Sequence, residues 1–152
     1  MRTHLTAVGR IKPGPERDLY AHYVARLNPA PVVREVEEKR NLPAAQLKVR
    51  EGELLLAAIP EGAHVVALDE KGRKLGSVAF AEQLGQWRDL GVRDVAFVIG
   101  GADGLDKAVL DRADLSLSLS DLTWPHMLVR GMLAEQLYRA YAILSGHPYH
   151  RV

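Results

Sequence analysis

Five short runs along the chain have the hydrophobic pattern of strands, and amphipathic stretches of helical length separate them. The strand-like runs are residues 4–8 (HLTAV), 31–36 (PVVREV), 63–68 (AHVVAL), 94–99 (DVAFVI) and 115–119 (LSLSL). Two of them, around VVAL and VAFVI, are continuously apolar, as strands covered on both faces are. Between them, residues 15–27 place Leu19, Tyr20, Tyr23, Val24 and Leu27 at helical spacing, and residues 43–59 do so with Leu47, Leu54, Leu55 and Ala58. Residues 77–90 carry Val78, Phe80, Ala81, Leu84, Trp87 and Leu90, with Ser77 as the expected N-cap and Gly91 as the stop. The last helix, from Pro125 to about Leu144, aligns Val129, Leu133, Leu137, Tyr141 and Leu144.

This alternation predicts an α/β fold on a parallel sheet with right-handed crossovers, and the two continuously apolar runs should be its central strands. No linker, repeat or low-complexity tract interrupts the pattern, so residues 1–152 read as one domain. Ligands of such folds collect beyond the carboxyl ends of the strands. The loops that matter are therefore those after Leu68, Ile99 and Leu119.

Composition agrees with a globular domain: 152 residues, 47% hydrophobic and 26% charged. The absence of Cys removes disulfides, thiolate metal sites and cysteine nucleophiles together. No signal-peptide pattern or membrane-length apolar run occurs, and a cytoplasmic location is expected. The net charge of +1 hides an uneven distribution. Residues 1–50 hold ten Lys/Arg against five Asp/Glu, residues 51–110 six against ten, and residues 111–152 four against four. The basic first third is either a phosphate-attracting face or a solvated helix surface.

The loop after the fourth strand holds Gly100, Gly101 and Gly104, where backbone N–H groups can approach a small ligand closely. Its spacing, G-G-x-x-G, is not the dinucleotide fingerprint. Residues 69–74 (DEKGRK) read as a solvated loop, with Leu68 at the strand end able to touch a ring. After the fifth strand, Pro125 keeps Trp124 out of the helical region and so forces an extended exit through Leu122 and Thr123. On local grounds alone Trp124 reads as a core anchor and His126 as a hydrogen-bonded structural residue. The tail, GHPYHRV, is unusual for a chain end, because its His, Tyr and Arg residues can stack on a base and contact phosphate. His147 and His150 lack the further ligands of a metal site.

Residues 98–105 (VIGGADGL), 116–143 (SLSLSDLTWPHMLVRGMLAEQLYRAYAI) and 146–151 (GHPYHR) together resemble the SPOUT-class ribosomal RNA large subunit methyltransferase H family. Residues 7–12 (AVGRIK) and 65–77 (VVALDEKGRKLGS) are similar to its pattern too. The resemblance implies a homodimer of α/β domains in which about residues 95–152 form a C-terminal trefoil knot that binds S-adenosylmethionine. Topology rules by themselves would argue against a knot. The implied activity is methylation of N3 of a pseudouridine in 23S rRNA, within the large subunit or the assembled ribosome. No membrane, DNA or metal is implied.

Carried over by motif, the cofactor contacts are Leu68, Gly100, Leu119, Ser120, Asp121, Leu122, Thr123 and Trp124, with Gly101 and Gly104 shaping the cradle. The catalytic candidates are Tyr149, His150 and Arg151 in the tail, which in a dimer would cover the partner's cofactor, and His126 and Arg130 in the last helix. No general base is assigned among them, and Arg130 pairs either with a phosphate or with an acid such as Glu135. Asp121 and Gly131 depart from the family pattern. Two other readings stay open, another SPOUT RNA methyltransferase with a tRNA or ribose target, and a non-enzymatic nucleotide-binding α/β module.

Overall fold

The computed structural model describes residues 1–151; Val152, the last residue of the expected domain and knot region, lies outside the described residues. Ten elements follow in strict alternation. They are β1 (Arg2–Val8), α1 (Pro15–Val24), β2 (Val32–Val36), α2 (Ala44–Ala58), β3 (His64–Lys74), α3 (Ser77–Asp89), β4 (Asp94–Ile99), α4 (Lys107–Arg112), β5 (Leu115–Ser118) and α5 (His126–Ser145). The five strands form one sheet in the order β2-β1-β4-β3-β5, with every pairing parallel. The continuously apolar runs, β3 and β4, occupy interior places, as expected.

Successive strand residues point to opposite faces, and this sorts the core into two layers. Val95, Phe97 and Ile99 of β4 and Val66 of β3 face a cluster with Phe80, Leu84, Leu133 and Leu137 from α3 and α5. Val98 of β4 and Val65 and Ala67 of β3 face the other way, onto Leu55 of α2 and Val109 of α4. Gly131, which should weaken α5 by about 1 kcal/mol relative to Ala, has a packing reason. A Cβ there would lie 2.8 Å from Leu19 Cδ2, so the glycine lets α1 pack closely on α5.

Three local expectations need correcting. Gly76, not Ser77, caps α3, and the Ser77 hydroxyl instead donates to Gln136 Oε1 at 2.9 Å. Helix α4 lies between the glycine loop and the fifth strand, where no element was expected, and Asp106 caps it by accepting the Ala108 N–H. Residues 69–74 are not simply a solvated loop. The chain leaves the ladder after Leu68 and returns, so that both Leu68 and Arg73 pair with Leu117 of β5. At this crossing an ideal Cβ on Gly72 would lie 2.7 Å from the carbonyl carbon and oxygen of Ser116.

Candidate functional site

All five strands run the same way, so their carboxyl ends share one edge of the sheet. Along the β3, β4 and β5 part of that edge opens a cleft of about 500 Å³. Its walls are the turn after Leu68, the glycine loop of residues 100–104, and the loop leading from β5 into α5, with Lys48 of α2 and His126 and Val129 of α5 alongside. Of the expected cofactor contacts, Leu68, Gly100, Gly101, Gly104, Leu119, Ser120, Leu122, Thr123 and Trp124 all line it. Asp121 does not. Its largely exposed carboxylate turns outward to pair with Lys74, and so its negative charge is partly neutralised away from the cleft.

Local hydrogen bonds fix the shape of each wall. In the glycine loop, the Gly104 N–H donates to Gly101 O at 3.1 Å, and Gly104 adopts a φ of +81° that favours glycine. A Cβ on Gly100 would meet Gly104 O at 2.7 Å, so only glycine allows this tight turn. In the last loop, Ser118 Oγ donates to Ser120 O and the Leu122 N–H donates to Ser120 Oγ, both at 2.9 Å. Thr123 Oγ1 donates to Glu70 Oε2 at 3.2 Å and ties two walls together. Pro125, extended at ψ 135° as Pro43 is at 148° before α2, caps α5 and ends the loop.

Trp124 is 38% exposed and Leu122 65%, so both stand at the cleft mouth. Trp124 is therefore not the core anchor that its local sequence favours. A large apolar side chain left open to water beside a concavity is the better sign of a ligand surface. His126 also departs from its local reading, because its Nδ1 is buried and has no hydrogen-bond partner among the described residues. Burial, and then the charge of Arg130, lower its pKa, so the imidazole is neutral at neutral pH.

Of the two alternatives for Arg130, the pairing with an acid holds, but the acid is Glu35 and not Glu135. Arg130 is 1% exposed and reaches neither the cleft nor Glu135. Its Nη1 donates to Glu35 Oε2 at 2.5 Å, and its Nη2 donates to the carbonyls of Val8 and Gly9 at 3.2 and 2.9 Å. It joins α5 to the ends of β1 and β2, and this is a structural duty.

The tail residues lie apart from this chain's own cleft. The Tyr149 hydroxyl donates to Glu135 Oε1 at 3.0 Å, Arg139 stacks 4.8 Å from the Tyr149 ring centroid, and Arg139 Nη1 meets His150 Nδ1 at 3.0 Å. Burial, then hydrogen bonds with Tyr23 and Glu135, push the Tyr149 pKa up to about 12, so it is a donor and not a phenolate. Arg151 is exposed beside them. The basic first third is partly spent internally: Arg2 pairs with Asp94, Arg10 with Glu37, and Arg40 and Arg50 with Glu38.

Lys48, which lines the cleft, and Glu51, which packs behind it against Gly101, carried no expectation of a place near the site. Lys48 was noticed only as one of many basic positions. Glu51 sits on the apolar stripe of α2 between Leu47 and Leu55, and an acid on a buried stripe is the signal that could have found it. Among the described residues no cluster of three or more His, Cys, Asp or Glu could hold a metal ion, and no helix is long and apolar enough to cross a membrane.

Residues 1–150 match the family described as "Predicted SPOUT methyltransferase". The chain is 65% identical over 151 residues to a protein of Paramagnetospirillum magneticum named ribosomal RNA large subunit methyltransferase H, covering 99% of each chain. It is 58% identical over 152 residues to a protein of the same name from Rhodospirillum rubrum, again covering 99% of each. Among solved structures, a probable methylase family protein from Haemophilus influenzae Rd KW20 superposes with a TM-score of 0.59, covering 99% of this chain and 70% of that one. At 11% sequence identity that likeness is one of fold.

Proposed function

The chain belongs to the SPOUT methyltransferase family, and from that membership we propose that it transfers a methyl group from S-adenosylmethionine to N3 of a pseudouridine in large-subunit rRNA. The observation that carries this reading is the convergence of Leu68, the glycine loop and residues 119–124 on one cleft. These segments lie far apart in sequence, and each is the loop at the carboxyl end of a neighbouring strand. The tight glycine turn and the extended exit from β5 leave backbone groups beside an apolar rim, as an adenine ring and a ribose require.

The cofactor supplies an electrophilic methyl group on its sulfonium. What remains for the protein is to hold the target base in line, exclude water and help N3 shed its proton. In balance, the sulfur–methyl bond breaks, a carbon–nitrogen bond forms at N3, and the proton leaves for a base or for solvent. Trp124 and Leu122 at the mouth exclude water. His126 presents a neutral imidazole on the cleft wall, the form that can take up a proton.

Tyr149, His150 and Arg151 serve the site of a second copy in this reading. Tyr149 and His150 are held on α5 by Glu135 and Arg139, away from their own cleft, while among the described residues no Lys or Arg of α5 lines the cleft of one chain. The threaded, knotted path of the C-terminal segment belongs to the same reading. It is supported by the way residues 69–74 lie across β5. Free basic side chains of the first third, such as Lys12 and Arg17, then offer phosphate contacts for an RNA too large to be gripped by a 152-residue chain alone.

The test is methyl transfer to ribosomes that carry the pseudouridine and to ribosomes with uridine in its place. Label is expected on the first and not on the second. Equal labelling of both, or a methyl group mapped by mass spectrometry to tRNA or to a ribose, overturns the proposed target.

A further inference from the structure

A neutral imidazole carries one N–H and one lone pair, on different nitrogens. The nitrogen with the lone pair takes up a proton, and the other gives a hydrogen bond. For His126 the two nitrogens have different surroundings. Nδ1 is buried and has no partner among the described residues. Nε2 has no partner within the chain either, but it is the accessible nitrogen of a ring that lines the cleft. Whichever nitrogen carries the hydrogen therefore decides what the cleft meets.

The surroundings of Nδ1 suit a lone pair. One helical turn along α5 stands Arg130, whose Nη1 and Nη2 are committed to Glu35 and to the Val8 and Gly9 carbonyls, while its Nε–H is buried and unpartnered. Gly9, whose carbonyl Arg130 holds, also lies against the imidazole, for an ideal Cβ on it would be 3.7 Å from His126 Cε1. A hydrogen on Nδ1 would be shut in beside a fixed cation with no acceptor to receive it, whereas the cation favours a lone pair there. His126 is also the first residue of α5, where the free N–H groups of the opening turn disfavour an imidazolium.

We propose that His126 keeps its hydrogen on Nε2 and acts in the cleft as a hydrogen-bond donor, not as a base, giving Nε2–H to a carbonyl oxygen of the target base. This rests on the methyl-transfer reading of the cleft. When N3 gives up its proton to solvent, the charge left behind spreads to the two carbonyl oxygens beside it, and a fixed neutral donor stabilises that charge. Forming the carbon–nitrogen bond discharges the ring, and the electron pair of the broken sulfur–methyl bond stays on sulfur. His126 begins and ends the step with the same hydrogen. Arg130 touches no ligand and is a positioning residue for this tautomer.

Two measurements test it. In nitrogen NMR spectra of protein labelled in its histidine rings, at neutral pH, Nε2 of His126 is expected to be the protonated nitrogen and Nδ1 the bare one. The reverse assignment overturns the proposal, whatever the protein methylates. In methyl transfer to pseudouridine-containing ribosomes, His126→Gln places an amide N–H near the position of Nε2 but can take up no proton. It is expected to keep kcat within about tenfold, whereas His126→Phe should lose about 10²- to 10³-fold with KM within about twofold. If both variants melt like the wild type and Gln is as inactive as Phe, His126 is a base and the proposal fails. It fails equally if His126→Phe lowers affinity for S-adenosylhomocysteine and leaves kcat unchanged, because the hydrogen bond then goes to the cofactor. If the wild-type protein labels no RNA, the methyl-transfer reading falls and takes the donor role with it, while the tautomer is still decided by the spectrum.

Discussion

Arg130→Met is expected to cost about 3 kcal/mol of folding stability, the lower end for a buried ion pair broken from one side. The lower end applies because the Glu35 side chain is 22% exposed and regains some water once abandoned, whereas the Val8 and Gly9 carbonyls lose their side-chain donor outright. For a chain of this size the melting temperature should drop by about 6–12 °C. A second readout isolates the pair. Burial alone would raise the Glu35 pKa, but the hydrogen bond from Arg130, the Ile11 amide and the charges of Arg130 and Arg10 together hold it below 4.5. The folded carboxyl therefore binds its proton less readily than the unfolded one. The stability this gives is present above the unfolded value and is lost as pH falls through the folded value. In the variant that acid-side dependence should largely vanish; a melting curve and acid profile matching the wild type would show that Arg130 joins nothing.

Gly72→Ala is expected to destabilise the fold by about 2–3 kcal/mol, because the added methyl group meets main chain and not a side chain that can turn aside. The nearest atoms are the Ser116 carbonyl at 2.7 Å and the Leu117 carbonyl carbon at 2.8 Å. Relief requires residues 69–74 to lift from β5, which displaces Leu68 and Leu119 on opposite walls of the cleft. Cofactor affinity should fall together with stability. Gly76→Ala, with open space around its Cβ, is the control and should change stability by less than about 1 kcal/mol. If denaturant titration finds the two variants alike, the crossing is not tightly packed.

Much of the architecture could be read because it rests on local periodicity. Two interior strands declared themselves by unbroken apolar runs, and their carboxyl-end loops pointed to the cleft before any contact was known. The errors fall where partners are distant. Arg130 and Glu35 are 95 residues apart, so no spacing rule could pair them, and the nearer Glu135 was the natural guess. Trp124 was placed in the core from its size, since its neighbours say nothing of the concavity it borders. Residues 69–74 look like a polar loop because their pairing is with β5, more than forty residues later. Helix α4 is one short turn and a half with a single buried residue, Val109, too little to show a period. The family motifs brought Leu68, Gly100 and residues 119–124 together, yet they were silent on Lys48 and Glu51, whose places beside and behind the cleft depend on where α2 packs.

The cleft is walled by the carboxyl ends of three strands, and among the described residues two side-chain contacts, Thr123 to Glu70 and Asp121 to Lys74, reach between two of its walls. A ligand seated there acts as a non-covalent crosslink among segments that would otherwise open independently. At a free concentration one hundred times its dissociation constant, it should add about 2.7 kcal/mol to global stability. Slowed amide exchange should appear together in residues 68–71, 100–104 and 119–124, three loops becoming one cooperative unit.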